Sequence, residues 1–168
     1  MPASQQKLIN VDIERVSAEE VRQAAEYQAA ILADVAGRRG TLHGRIKPLA
    51  PNMAVAGPAI TVEVRPGDNL AIHAAMAVAK PGDVLVIDGK GDLSCALLGE
   101  IMATQAQASG IAGIIIDGAV RDAETLSKQS FPVSQPVLIR VVQPSSFQAG
   151  SIMLFRSRAP RCRRVTWW

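Results

Sequence analysis

The chain has 168 residues, 48% apolar, 20% charged and 4% aromatic, a balance that suits one globular domain with its own core and excludes a collagenous or wholly disordered chain. No apolar run approaches the roughly 20 residues of a membrane span, and MPASQQKLINVDIE lacks the basic-then-apolar pattern of a secretory leader, so a cytoplasmic protein without a membrane partner is expected. The net charge of +3 conceals an asymmetry, because residues 1–133 hold 12 Lys/Arg and all 15 Asp/Glu whereas residues 134–168 hold 6 Arg and no acid.

Ser17-Ala-Glu-Glu20 reads as a capping box that opens a helix. The Ala-rich text behind it predicts one helix running to Val35, with Gly37 as its C-terminal cap. Glycine and proline punctuate the chain from Arg38 to Asn52, and residues 57–64 form a β-branched strand candidate closed by Pro66-Gly67-Asp68. Asp68 or Asn69 can cap a second helix through Val78. Pro81-Gly82 stops that helix before an apolar strand over 83–88. A loop, Gly89 to Asp92, precedes a helix expected over Ala96 to Ser109, and residues 113–117 form a third apolar strand. Strand, helix and strand in this order predict parallel neighbours, with sites just beyond their carboxyl ends, so the loops after Asp88 and Asp117 are the places to seek chemistry.

Asp117-Gly118-Ala119-Val120-Arg121-Asp122 sets a cation beside a carboxylate after a buried strand. The arrangement suits an anionic substrate with a divalent cation, since Arg forks onto carboxylates and Asp is a hard oxygen donor; it equally suits a surface ion pair in a turn. Glu100 supplies another acid, either a solvated residue on a helix face or part of a carboxylate site. If the helix starts near Gly99, the Ile101 and Met102 amides would open it and could receive an anion. His43 and His73 are too far apart to pair on a metal, and Cys95 and Cys162 have no C-x-x-C neighbour, so reduced thiols are expected. Phosphate-loop, dinucleotide-loop and nucleophile-elbow motifs are absent. Lys90 could form a Schiff base only if burial lowered its pKa. The basic tail with its two Trp could bind phosphates and stack on bases, but it has no periodicity, and a nucleic-acid partner is not expected.

The segment HAAMAVAKPGDVLVIDGKGDLSCALLGEIMATQAQASGIAGIIIDGAVRDAETL, with AGPAITVEVRPGDN upstream, resembles the RraA-like family, which includes class II pyruvate aldolases acting on 4-hydroxy-4-methyl-2-oxoglutarate and 4-carboxy-4-hydroxy-2-oxoadipate. The similarity runs from about residue 12 to Val133. Its most specific element is an acid, 20 intervening residues, then Arg-Asp, here Glu100 and Arg121-Asp122. The resemblance implies an α/β fold of the swivelling β/β/α type with a central, partly parallel sheet, assembled as a homotrimer or homohexamer with sites between subunits. It further implies Mg²⁺ or Mn²⁺, with Asp122 as the protein ligand and Arg121 on the keto and enolate oxygen. Glu100 would orient or activate a water at the metal, and the N–H groups from Gly99 through Glu100 and Ile101 to Met102 would receive the substrate carboxylate.

Cleavage of a 4-hydroxy-2-oxo acid to pyruvate and a second 2-oxo acid would follow, with oxaloacetate decarboxylation as a side activity through the same enolate. The family also contains non-catalytic regulators that bind and inhibit RNase E, in which the Asp after Arg is typically replaced; Asp122 favours the aldolase branch. The expected organisation is an RraA-like aldolase domain over residues 1–133. Residues 134–168 form a divergent basic C-terminal segment in which the family's late strands are not recognisable.

Overall fold

The computed structural model describes residues 13–136. The capping box forms: the Glu20 N–H donates to Ser17 Oγ at 3.2 Å and the Ser17 N–H donates to Glu20 Oε2 at 2.9 Å, opening α1, Ala18–Ala25. The single helix expected through Val35 is two. Glu26 ends α1, Gln28 is extended at φ −69° and ψ 141°, and α2 spans Ala29–Val35. Neither helix buries a residue, so no packing holds them on one axis. Ala-rich composition favours helix throughout and carries no information about where a helix turns.

Five strands form the main sheet in the order β1-β7-β5-β3-β2: β1, Ile46–Pro48; β2, Ala59–Glu63; β3, Val84–Asp88; β5, Gly113–Asp117; and β7, Val133–Pro136. The parallel pairing expected of the two apolar strands is present, in a register running from Val84↔Gly113 to Asp88↔Asp117. β2 and β7 extend the parallel set, and β1 adds an antiparallel edge, so the sheet is mixed. Helix α3, Leu70–Val78, connects β2 to β3, and α4, Glu100–Ala108, lies on the connection from β3 to β5; parallel neighbours need such crossovers.

Alternation along the central strands divides the core. Leu85, Ile87, Ile114 and Ile116 join Ile72, Met102, Ala103 and Leu126 in the larger cluster, while Val84 and Ile115 join Ile46 and Val55 in the smaller one. Full burial of each large aliphatic side chain contributes about 1.5–3 kcal/mol, so stability concentrates at the sheet's centre. An ion pair closes the amino end of β3. Asp83 is 1% exposed and accepts from Arg15 Nε at 2.8 Å, from Arg15 Nη2 at 2.7 Å and from the Lys80 N–H at 2.7 Å.

The helix expected over Ala96 to Ser109 is corrected at its start. Ala96–Leu98 is a strand, β4, parallel to the short β6, Ala119–Val120. Leu97 and Leu98 are buried, and the Arg121 N–H donates to Leu98 O at 2.9 Å. Burial and pairing therefore override a helix-favouring composition. Gly99 is extended at φ −151° and ψ −172°, and α4 begins at Glu100. Helix α5, Ala123–Lys128, follows β6, and β7 then crosses Val133, with Ser134, Gln135 and Pro136 paired to β1. Of the divergent basic segment, residues 137–168 lie outside the described residues. Among the described residues, no helix is long and apolar enough to cross a membrane.

Candidate active site

Two parallel connections bring the candidate residues together. β4 leads into Gly99 and the start of α4; β6 leads into Arg121, Asp122 and α5. Pairing of β4 with β6 places these exits side by side, so residues more than twenty positions apart meet. The Glu100 N–H donates to Asp122 Oδ2 at 3.2 Å, and Arg121 Nε stands 3.7 Å from the same oxygen. Gly99 makes this approach possible, since a Cβ there would lie 2.6 Å from Arg121 Nε and 2.8 Å from Asp122 Oδ2. Asp122 sits in the left-handed region at φ 59°, which short polar side chains tolerate best after glycine and which turns the chain sharply into α5.

The first-turn N–H groups of a helix lack intrahelical acceptors and carry positive partial charge. Of the amides expected to receive a carboxylate, that of Glu100 is taken by Asp122, which leaves that of Gly99, ahead of the helix, and those of Ile101 and Met102 in the first turn of α4. Their side chains point to different settings: Ile101 is exposed, and Met102 is buried with Sδ accepting from Asn69 Nδ2 at 3.6 Å. The side chains of Arg121 and Asp122 remain 66% and 44% exposed, accessible to a ligand. Glu100 is half-buried, and Gln129 Nε2 donates to its Oε1 at 3.5 Å. Sequence reading missed Gln129, because packing of α5 on α4 alone brings it to Glu100.

The carboxyl ends of the main strands hold three further ion pairs. Buried Asp117 accepts from Arg45 through both oxygens, and Lys90 Nζ reaches Glu63 Oε1 at 2.8 Å and Asp88 Oδ2 at 2.9 Å. Hydrogen bonding to Glu63, then to Asp88, raises the Lys90 pKa above its ordinary value. That is opposite to what a Schiff-base lysine requires. Hydrogen bonds from the Ser94 side chain, then its backbone, hold the Asp92 carboxyl below the ordinary range. His43 Nδ1 accepts from the Arg45 N–H at 3.1 Å, His73 lies exposed on α3, and Cys95 is an exposed free thiol.

Among the described residues, no group of three or more His, Cys, Asp or Glu side chains is arranged to hold a metal. The donor chemistry fits a more limited attachment. Among the described residues, both polar contacts of the Asp122 carboxylate fall on Oδ2, so Oδ1 remains as a hard oxygen donor at a partly exposed position. One carboxylate with water in the other positions suits Mg²⁺ or Mn²⁺, whereas zinc favours several nitrogen or sulfur donors.

A family model described as RraA-like, Aldolase/RraA, matches residues 18–151. A Halalkalibacterium halodurans protein provisionally named a 4-hydroxy-4-methyl-2-oxoglutarate aldolase is 49% identical over 92 residues, covering 55% of this chain and 44% of that protein. A Burkholderia multivorans protein with the same provisional name is 40% identical over 91 residues, covering 54% of this chain and 55% of that one. The chain thus spans about half the length of these curated relatives. Among solved structures, Streptomyces coelicolor RraAS2, described as an unusual member of the RNase ES inhibitor RraA family, superposes with a TM-score of 0.64 at 29% identity, over 73% of this chain and 64% of that one. A Geobacillus kaustophilus protein described as an S-adenosylmethionine: 2-dimethylmenaquinone methyltransferase superposes with a TM-score of 0.60 at 28% identity, covering 74% and 77%.

Proposed function

Because this chain belongs to the RraA-like (Aldolase/RraA) family, we propose that it is a divalent-metal-dependent class II pyruvate aldolase. The substrate is a 4-hydroxy-2-oxo di- or tricarboxylic acid, 4-carboxy-4-hydroxy-2-oxoadipate or 4-hydroxy-4-methyl-2-oxoglutarate. The observation that carries this reading is the close packing of Arg121 and Asp122 on Gly99 at the start of α4, with the Glu100 carboxylate on the same turn. A guanidinium and a carboxylate then meet at the opening of a helix, in one partly exposed place.

Each residue has a role that follows from its chemistry. The Ile101 and Met102 N–H groups bind the substrate's 1-carboxylate. Arg121 binds the 2-oxo oxygen and stabilises the negative charge that develops there as the C3–C4 bond breaks, leaving its electron pair in pyruvate enolate. Glu100 orients the water that accepts the 4-hydroxyl proton as C4 becomes a carbonyl, and protonation of enolate C3 completes pyruvate. Asp122 would hold Mg²⁺ or Mn²⁺, which when bound supplies Lewis-acid stabilisation of the same oxygen. Oxaloacetate decarboxylation passes through the same enolate and belongs to this reading. So do a homotrimeric or homohexameric assembly and a functional body over residues 1–133 with a divergent basic segment over 134–168.

A lactate-dehydrogenase-coupled assay with Mg²⁺ or Mn²⁺ tests the reading, using both aldol substrates and oxaloacetate. Metal-dependent pyruvate release is expected; its absence from folded protein sinks the aldolase reading. The likeness to the RraAS2 structure supports a second reading, a non-catalytic regulator of RNase E. Binding to that endonuclease with no pyruvate release would put it first.

A further inference from the structure

Gln129 closes α5 with its backbone N–H donating to Leu126 O at 3.1 Å and its own backbone extended at φ −84° and ψ 162°. Its amide is divided between a partner and none. Nε2 donates to Glu100 Oε1 at 3.5 Å, at the long end of hydrogen bonding, while the amide Oε1 is buried with no partner among the described residues. Catalytic hydrogen bonds often stand long until substrate arrives.

Turning the amide end for end does not relieve this. The turned form would set a carbonyl oxygen against the Glu100 carboxylate and bury an unpaired NH₂, so Glu100 dictates the amide's direction. A buried, unpaired polar group carries a desolvation cost, which an apolar side chain at this position would avoid. Leu126 and Phe131 on either side in sequence are buried and apolar. The choice of a neutral donor is also informative. Lys or Arg at position 129 would pair with Glu100 and cancel its charge, and Glu would repel it; Gln holds the carboxylate and leaves its charge intact.

We propose that Gln129 is a positioning residue that fixes the Glu100 carboxylate in one orientation at the start of α4. The proposal rests on the aldolase reading for what that orientation achieves, namely placement of the water that takes the substrate proton. It does not rest on it for the contact itself.

Gln129→Met keeps the length of the side chain and removes the donor. Expected are a fall in kcat of about 10-fold, as for loss of a hydrogen bond to a charged group, a nearly unchanged KM, and a thermal midpoint equal to or above that of the parent. In a Glu100→Gln background the same substitution should cost almost nothing further, because Gln129 acts only through Glu100. Equal losses in the two backgrounds, or an unchanged kcat in Gln129→Met, would overturn the proposal. High-resolution crystal structures of parent and Gln129→Met give a readout independent of turnover. Glu100 should hold one conformer on Gln129 in the parent and spread over several in the variant; one unchanged conformer in both would overturn it. If the parent releases no pyruvate but Glu100 loses its conformer in the variant, the aldolase reading falls and the positioning role stands.

Discussion

Two arginine–aspartate pairs, one at the amino end of β3 and one beyond β6, differ in what they leave open to solvent. At the amino end of β3, Asp83 is 1% exposed, uses both oxygens on Arg15, and also accepts the Lys80 N–H. Hydrogen bonding to Asp83 is the main cause that raises the Arg15 pKa above its ordinary value. Beyond β6, Arg121 and Asp122 are neighbours in sequence, lie 3.7 Å apart and stay largely open to solvent. The first pair has spent its hydrogen-bonding capacity within the fold. The second leaves most of its guanidinium and one carboxylate oxygen without a partner among the described residues, as the proposed site requires.

Arg121→Ala is the strongest test of this contrast. Loss of a charge-stabilising donor should lower kcat by about 10³-fold, while an exposed pair should change stability by less than about 1 kcal/mol. Coupled pyruvate assays and urea denaturation measure the two effects; a variant that unfolds would show that the open pair is also a clamp. Asp83→Ala should do the reverse. Removing one partner of a buried pair leaves the Lys80 N–H without its acceptor and Arg15 with only the Ile13 carbonyl, and should cost about 3 kcal/mol, read as a lower urea midpoint, with kcat per folded molecule unchanged.

The smallest effect lies at the exposed capping box. Hydrogen bonds from the Ser17 backbone, then its side chain, hold Glu20 below the ordinary carboxylate pKa. A depressed folded-state pKa contributes stability above the unfolded value and loses it as pH falls through the folded one. Acidification should therefore fray α1 before the sheet opens, visible as faster amide exchange at Val21 to Ala24. Simultaneous loss of sheet protection would show that α1 is coupled to the core more tightly than its lack of buried residues suggests.

Local signals were legible in the sequence where the chain's neighbours decide the outcome. The Ser17–Glu20 box, the strand before Asp88, the strand before Asp117 and their parallel pairing all rest on short-range hydrogen bonding or on apolar continuity. Of the residues grouped as a candidate site, Gly99 and Glu100 meet Arg121 and Asp122 in space, and the likeness to a known family is what singled them out beforehand.

Tertiary structure decided the rest. Ala96-Leu-Leu98 has the composition of a helix start, yet it becomes β4 because a core place for Leu97 and Leu98 and a partner in β6 together outweigh local propensity. That strand delays the helix to Glu100 and turns the Glu100 amide toward Asp122. The division of Asp122 between the Glu100 amide and a free oxygen, the left-handed backbone that aims it, and the hold of Gln129 on Glu100 are set by contacts across 22 to 29 residues. Periodicity and capping report on energies within a turn or two of helix or strand, so these long-range contacts leave no trace in them.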